Sequence, residues 1–200
     1  MSVALGGTGA RPTKDGLSTT AFPSGVGGIP VEITESQAPL VFWHKETLCG
    51  SGGAGTWRGG LAQRIVIAAR DGAPFECSAA TFDRRAHPAR GRNGGDQGAP
   101  GRVEVVHPDG RTMAFTDKGV IAVPAGGRLC VELPGGGGYG PAEARAPEHR
   151  AADLADGAVS TDGRHFFKLA DADPARSATQ QSDLSQHIPP TDPPPQENRS

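Results

Sequence analysis

Glycine constrains this chain more than any other residue, through both its number and its distribution. There are 30 glycines in 200 residues, and only Gly157 and Gly163 lie beyond residue 145. The others are interspersed with short apolar runs. Glycine supplies positive φ and sharp turns without a steric penalty. Short apolar runs separated by such turns are typical of strands, so the distribution predicts a mainly β fold with long glycine-rich loops over residues 1–145.

Alternation and β-branched residues predict the individual strands. Ala62–Ala69 has three β-branched residues in a row and is predicted as a central strand. Ile29–Thr34 alternates apolar with polar residues, as a half-buried strand does. Two further runs, Pro39–His44 and Pro74–Phe82, are also predicted as strands. The predicted loops are residues 1–28, Gly50–Gly60 and Arg84–Gly101.

Turn residues predict two β-hairpins. The first joins Arg102–Val106 to Thr112–Thr116 through Pro108-Asp109-Gly110, where proline presets φ and glycine supplies a positive φ. The second is predicted to pair Gly119–Val123 with Arg128–Leu133 around a proline- and glycine-containing turn.

The sequence changes character after residue 145. Glu148–Leu154 predicts one short helix within residues 146–160, with acidic residues near its start and Gly157 beyond its end. Residues 161–200 are rich in Asp, Ser, Gln and Pro, and they bury too little apolar surface to offset chain entropy. A disordered tail is therefore predicted.

Charge, hydropathy and cysteine usage limit the classes of partner and compartment. The net charge of −2 gives no support to a nucleic-acid or membrane-surface partner. No apolar stretch approaches about 18 residues, and no signal peptide is recognisable. The three cysteines are an odd number without metal-type spacing, and Cys77 and Cys130 are predicted to be buried in strands. A reducing, cytoplasmic location is predicted.

Few residues suggest chemistry by their own pattern. Gly6–Gly9 and Gly135–Gly138 lack the Lys-Ser/Thr of a phosphate loop, so sharp backbone geometry explains them better than nucleotide binding. The histidines lack ligand spacing, and only His44, near Glu46, is considered as a metal ligand. No metal site is predicted.

Four charged residues are candidates for a catalytic role. Asp83 and Arg84 open the polar loop after a predicted strand, where functional side chains concentrate, although an internal ion pair would explain them as well. Glu32 and Glu35 would lie on opposite faces of a strand, and solvated strand-edge residues are the alternative. The amides of Gly135, Gly136, Gly137 and Gly138 are a candidate anion site.

The order of the unusual segments carries a family resemblance over residues ~5–160. The segments are Gly6–Phe22 followed by Pro23-Ser24, Ile29–Glu35, Ser51–Leu61, the loop from Asp83-Arg84-Arg85 to Gly98–Gly101, and Leu133–Gly140. In this order and with this spacing they resemble the hydantoinase B/5-oxoprolinase family, which is related to the large subunits of acetone- and acetophenone-type carboxylases. The resemblance implies ATP-dependent opening of a small cyclic amide, such as a hydantoin or 5-oxoproline.

The resemblance also implies partners and cofactors. The usual partner in that family is a hydantoinase A-type subunit, which binds ATP and activates the substrate by phosphorylation. The family's acidic and histidine-rich motifs lie in an N-terminal B-type segment with no counterpart here, Gly25 stands where the family has asparagine, and the resemblance stops beyond Ser160. The expectation is therefore a fragment or split subunit that binds no cofactor itself, with ATP and a divalent metal held by other segments or by the partner.

Two functions from different classes follow from this sequence. In the first, the chain shapes the substrate site of a cyclic-amide hydrolase together with other segments. In the second, it is a non-catalytic structural or subunit-interaction module, or the remnant of a carboxylase-type large subunit, with its glycine loops packed against another domain.

Overall fold

The computed structural model describes residues 5–20, 28–79 and 84–160. Strands outnumber helices, which confirms the prediction of a mainly β fold. The strands are β1 Leu40–Thr47, β2 Gln63–Ala69, β3 Phe75–Ser78, β4 Arg102–Val106, β5 Thr112–Ala114, β6 Val120–Val123 and β7 Arg128–Glu132. The helices are α1 Val31–Gln37 and α2 Pro147–Ala155, with a 3₁₀ turn at Ala142–Ala144.

The strands form two antiparallel sheets. The larger sheet has the order β1-β2-β7-β4-β5, and the smaller one pairs β3 with β6. Alternate residues of β4, β6 and β7 meet in one apolar cluster between the sheets. Its buried members are Ala79, Val103, Val105, Ile121, Val123, Leu129 and Val131. Burying each of the larger side chains contributes about 1.5–3 kcal/mol relative to exposure.

Charged residues line up across the larger sheet. Arg64 in β2 lies opposite Glu46 in β1 and Glu132 in β7. Arg64 and Glu132 are both buried, and the Arg64 Nε donates to Glu132 Oε1 at 3.0 Å. Burial alone would lower the pKa of Arg64, but the hydrogen bond and charge of Glu132 outweigh it and raise the pKa. Arg64 therefore stays protonated, and its hydrogen bond to Glu132 joins β2 to β7.

The sequence-predicted strands at Pro39–His44 and Ala62–Ala69 are confirmed as β1 and β2. The predicted strand at Pro74–Phe82 is confirmed over Phe75–Ser78 as β3, and its last three positions, 80–82, lie outside the described residues. The Pro108-Asp109-Gly110 hairpin is also confirmed, because β4 pairs with β5 and Gly110 has a φ of 83°. The predicted helix is confirmed as α2, with proline in its first turn and Gly157 at a φ of 66° beyond its end.

The second predicted hairpin is wrong. β6 pairs with β3, whereas β7 lies between β2 and β4. Burial explains the exchange, because four of the five residues of β7 are buried and a strand buried on both faces belongs at the centre of a sheet. β6 buries only Ile121 and Val123, the pattern of a strand with one face on the core.

The predicted strand at Ile29–Thr34 is also wrong, because Val31–Gln37 forms α1. Val31, Thr34 and Glu35 are half-buried at helical spacing. The Glu35 Oε1 accepts the backbone N–H of Phe42 at 2.7 Å, which ties α1 to the start of β1. This tertiary contact outweighs the strand propensity of the β-branched residues. The described residues thus contain two α-helices where one short C-terminal helix was predicted.

Cys130 is 2% exposed, as its strand position predicts, and burial raises its pKa to about 12. Cys77 is half-buried in β3. The predicted disordered tail, residues 161–200, lies outside the described residues. None of the helices within the described ranges is long and apolar enough to cross a membrane.

Candidate functional site

Four glycine-rich segments pack directly against one another and are here called the glycine bundle. They are residues 5–18, 51–60, 89–99 and 134–140. Backbone hydrogen bonds join the first, second and fourth segments. The Gly60 N–H donates to the Thr8 carbonyl at 2.8 Å, and the Gly136 N–H donates to the Gly60 carbonyl at 2.9 Å. The Gly53 N–H donates in turn to the Gly136 carbonyl at 2.9 Å. Residues 134–140 therefore lie among the other segments.

The third segment joins the bundle in the same way. The Gly135 N–H donates to the Ala99 carbonyl at 3.0 Å, and the Gly138 N–H donates to the Asp96 carbonyl at 2.8 Å. The Arg92 N–H donates to the Gly138 carbonyl at 2.9 Å. These bonds satisfy buried backbone groups that would otherwise carry a desolvation cost.

Close backbone approach explains the glycines of the bundle. A Cβ built on Gly136 would lie 1.8 Å from the Thr8 carbonyl oxygen, and one on Gly135 would lie 1.8 Å from that of Ser51. A Cβ on Gly59 would lie 1.9 Å from the Gly136 carbonyl oxygen. None of these three glycines has a positive φ. The missing side chain, not turn geometry, is what the bundle requires at these positions.

A buried network of two arginines and two aspartates closes one side of the bundle. Arg145 donates from Nε to Asp153 Oδ2 at 2.8 Å and from Nη2 to Asp15 Oδ2 at 2.8 Å. The Arg58 Nε donates to Asp153 Oδ1 at 3.1 Å. Arg145 and Asp153 are only 8% and 7% exposed. The network thereby ties α2 to two segments of the bundle that lie far apart in sequence.

The charges of this network set the ionisation of Asp15. Partial burial alone would raise the pKa of Asp15. Hydrogen bonds from the Arg145 side chain and the Arg58 backbone, together with the two positive charges, outweigh burial and lower the pKa below 3.8. Hydrogen bonding to Asp15 and Asp153 likewise raises the pKa of Arg145 against the effect of its burial. All four members are therefore used in holding the fold together.

Aromatic residues lie at the same junction. The Trp57 ring lies 5.4 Å from the His149 ring of α2, at an interplanar angle of 50°. The Asn93 side-chain amide donates to the Tyr139 hydroxyl. The first contact connects α2 to residues 51–60 of the bundle, and the second connects residues 89–99 to residues 134–140.

Among the described residues, no hydrogen bond or ion pair joins the predicted site residues Arg84, Glu32 and Glu35 to one another. Arg84 is exposed with a φ of 56°, and its carbonyl accepts the Gly101 N–H at 3.2 Å. Asp83 lies outside the described residues. Glu32 is exposed on α1, and Glu35 is occupied by the Phe42 N–H. Both glutamates belong to a helix, so the prediction that they lie on opposite faces of a strand is wrong.

Internal contacts occupy three of the four amides of the predicted anion site, all but that of Gly137. The amides of Gly135, Gly136 and Gly138 already donate to the carbonyls of Ala99, Gly60 and Asp96. An anion would have to displace these carbonyls. His44 is exposed in β1. Over the ranges that the structure describes, no group of three or more His, Cys, Asp or Glu side chains could hold a metal ion.

The region that contains the glycine bundle matches a known protein family. A model of the hydantoinase B/oxoprolinase family matches residues 1–142, which include all four segments of the bundle. The chain belongs to this family. The matched range therefore contains every segment that the bundle joins by backbone hydrogen bonds.

Relatives in sequence and structure are much longer than this chain. It is 33% identical over 136 residues to 5-oxoprolinase 1 of Arabidopsis thaliana, which covers 68% of this chain and 10% of that protein. It is 26% identical over 171 residues to caprolactamase subunit beta of Pseudomonas jessenii, covering 82% of this chain and 29% of that one. The crystal structure of ATP-dependent caprolactamase from Pseudomonas jessenii has the same fold, with a TM-score of 0.69 and 23% identity over 89% of this chain and 32% of that chain.

Sequence reasoning missed the members of the buried network. Asp15, Arg58, Arg145 and Asp153 are spread over 139 positions of the chain, and no local spacing relates them. The available signal was a weak one, an arginine shortly before a predicted helix that carries an aspartate in its last turns.

Proposed function

We propose that this hydantoinase B/oxoprolinase-type chain forms a rigid part of an ATP-dependent cyclic-amide hydrolase and shapes the substrate site together with other segments. The observation that carries the proposal is the glycine bundle. It holds the family's motif segments in fixed positions by backbone hydrogen bonds, and catalytic groups need such rigid support. The names of the relatives point to cyclic amides, 5-oxoproline in one and caprolactam in the other.

The loop that begins at Asp83 and Arg84 is the part that we assign to the substrate. Arg84 is exposed, and its guanidinium has no hydrogen bond or ion pair with any residue of the described ranges. Its backbone is held against Gly101 at the base of the loop. An arginine on a fixed backbone, with no partner among the described residues, can bind the carboxylate or phosphorylated oxygen of a ligand. Glu32 and the Gly135–Gly138 amides are less suited, for the reasons of geometry given above.

The proposal includes partners. A hydantoinase A-type subunit would supply ATP and the phosphorylation step, and an N-terminal B-type segment would supply the divalent metal. The relative named as a subunit beta supports an assembly of more than one polypeptide. Caprolactamase is described as ATP-dependent, which supports the requirement for ATP.

A second function, a non-catalytic structural or subunit-interaction module, is favoured by the buried network. Arg58, Arg145, Asp15 and Asp153 are the most elaborate group of charged side chains in the described residues, and they bind one another. In this alternative the chain stabilises an assembly without touching the substrate.

The decisive experiment uses the full chain reconstituted with an A-type subunit and an N-terminal B-type segment. ATP-dependent hydrolysis of 5-oxoproline, a hydantoin and caprolactam is measured for the wild type, Arg84→Ala and the control Arg111→Ala. Arg111 is an exposed arginine on the β4–β5 turn.

We expect Arg84→Ala to lower kcat/KM by roughly ten-fold to a hundred-fold, as loss of one charged hydrogen bond to a ligand does, with Arg111→Ala unchanged. Equal kinetics for wild type and Arg84→Ala in an active assembly would leave the structural module as the better account. Hydrolysis of 5-oxoproline by the pure chain with ATP would show that no further segment is needed.

A further inference from the structure

The glycine bundle brings together cationic residues that are far apart in sequence. Arg11 follows Ala10, whose N–H donates to the Gly137 carbonyl at 2.9 Å. The Arg92 N–H donates to the Gly138 carbonyl at 2.9 Å. A Cβ on Gly137 would lie 2.2 Å from the Arg90 carbonyl oxygen, so the backbone of Arg90 also lies close to Gly137. The backbones of Arg11, Arg90 and Arg92 therefore lie at or next to two consecutive glycines.

Lys14 belongs to the same group. Its backbone pairs with that of Arg11 by hydrogen bonds of 2.9 and 3.3 Å in a tight turn. All four side chains are exposed. Among the residues that the structure describes, none of the four charged groups has an ion pair or a side-chain hydrogen bond. The set Arg11, Lys14, Arg90 and Arg92 is called the basic patch.

Other arginines of the described residues form hydrogen bonds with protein groups. Arg85, in the same loop, donates to the Phe115 carbonyl at 2.6 Å and to the Asp117 carbonyl at 2.7 Å. Arg58 and Arg145 are held by buried aspartates. The basic patch thus differs from the arginines that stabilise the fold, because no residue of the described ranges pairs with its charges.

The charge of the patch contrasts with that of the chain. Four cationic side chains and the exposed Asp96 give +3, whereas the chain carries −2, so the remainder carries −2 − 3 = −5. A positive surface attracts an acidic partner, whereas two copies of the chain share a net negative charge and repel each other at long range.

We propose that the basic patch is a docking surface for an acidic surface of another polypeptide in the assembly. This inference rests on the proposed function only in assuming that the chain works in an assembly. The side chains are exposed on separate segments, which suits a broad protein surface better than a small anion. The bundle fixes the backbone beneath them, so binding orders side chains alone and costs less entropy. Arg84 is not part of the patch.

The test uses the full chain and a fluorescein-labelled peptide of ten glutamates as an acidic probe. Binding is measured by fluorescence anisotropy at an ionic strength of about 20 mM, where surface charges are weakly screened. The patch variant is Arg11→Glu, Arg90→Glu and Arg92→Glu together. The matched control changes three other exposed arginines in the same way, Arg70→Glu, Arg111→Glu and Arg150→Glu, and has the same net charge.

We expect the wild type and the control to bind the peptide with dissociation constants within roughly three-fold, and the patch variant to bind at least ten-fold more weakly. Raising the ionic strength to about 0.5 M should abolish wild-type binding. Equal losses in patch variant and control would show that only net charge matters and would overturn the proposal. So would absence of wild-type binding, or complete displacement of the peptide by millimolar inorganic phosphate, which would indicate a small-anion site.

Circular dichroism checks that both triple variants fold. If the glutamate patch variant unfolds, the Arg11→Gln, Arg90→Gln and Arg92→Gln variant replaces it under the same criteria. Because the readout is peptide binding, it is independent of hydrolysis. An assembly that binds the probe but hydrolyses no cyclic amide would refute the proposed function and leave the docking surface standing.

Discussion

The β-sheet core and the glycine bundle fill space in opposite ways. Between the sheets, side chains such as Leu129 and Ile121 interdigitate, and hydrophobic burial stabilises the contact. In the bundle, backbones touch directly, and a Cβ on Gly7 would lie 1.9 Å from the Gly60 carbonyl oxygen. Side-chain volume therefore stabilises one region and is excluded from the other. Adding side-chain volume should therefore destabilise the bundle, whereas removing side-chain volume should destabilise the sheet core.

The largest effect is expected from enlarging the centre of the bundle. In Gly136→Ala, the new Cβ would meet the backbone of Thr8 from 1.8 Å, and the segments would have to separate and lose hydrogen bonds. We expect a loss of about 4 kcal/mol or more in the free energy of unfolding, above the usual range for overpacking. Urea unfolding followed by circular dichroism measures it.

Gly9→Ala is the matched control in the same region. A Cβ on Gly9 would meet only the Gly137 carbonyl oxygen at 3.9 Å, an ordinary contact, and its φ is not positive. We expect a change within about 1 kcal/mol, because added volume is tolerated there and alanine restricts the unfolded chain. Equal effects of the two substitutions would mean that close backbone approach does not explain the glycines.

The next effect tests the sheet core in the opposite direction. Leu129 is 1% exposed, and Leu129→Ala removes volume from the cluster between the sheets. We expect a loss of about 3 kcal/mol in the free energy of unfolding, from lost burial and the residual cavity. Leu154→Ala on α2, where the leucine is 47% exposed, should cost well under about 1 kcal/mol. A core that tolerated Leu129→Ala equally well would not be close-packed.

The smallest of the three effects concerns the network that attaches α2 to the bundle. Asp15→Asn removes a carboxylate that accepts hydrogen bonds from Arg145 at 2.8 and 2.9 Å. Because the folded pKa of Asp15 lies below 3.8, its stabilisation is present above that pH and disappears as pH falls through the folded pKa. We expect a loss of about 2 kcal/mol at pH 7, and a smaller difference from wild type near pH 3.

Asp156→Asn, an exposed change just beyond α2, serves as its control and should leave stability nearly unchanged at both pH values. A difference between wild type and Asp15→Asn that stayed constant from pH 7 to pH 3 would contradict the charge-based explanation.

The sequence predicted much of the sheet region but few of the contacts that hold the glycine bundle together. Strand β2 follows from its run of β-branched residues, and the β4–β5 hairpin follows from its turn residues. The two partners of β7, strands β2 and β4, could not be predicted. They lie at distant positions in the sequence, and strand pairing depends on burial of the whole sheet. α1 was missed because the contact between Glu35 and Phe42 outweighs the propensity of Val31 and Ile33.

The glycines show the same limit. Their abundance before residue 146 predicted turns, and this holds at positive-φ positions such as Gly110 and Gly126. It does not hold at Gly59 or Gly136, whose requirement comes from a backbone that lies far away in sequence. The four charged residues of the network were invisible for the same reason.

The bundle also determines how this part of the chain responds to mutation. Every amino-acid replacement of a glycine adds atoms, since no smaller residue exists. At Gly59, Gly135 and Gly136 any missense change therefore pushes in one direction, toward separation of the segments. A leucine in the sheets has neighbours such as isoleucine and methionine of similar volume. The bundle has no such substitutes, so even alanine at these positions cannot act as a conservative replacement.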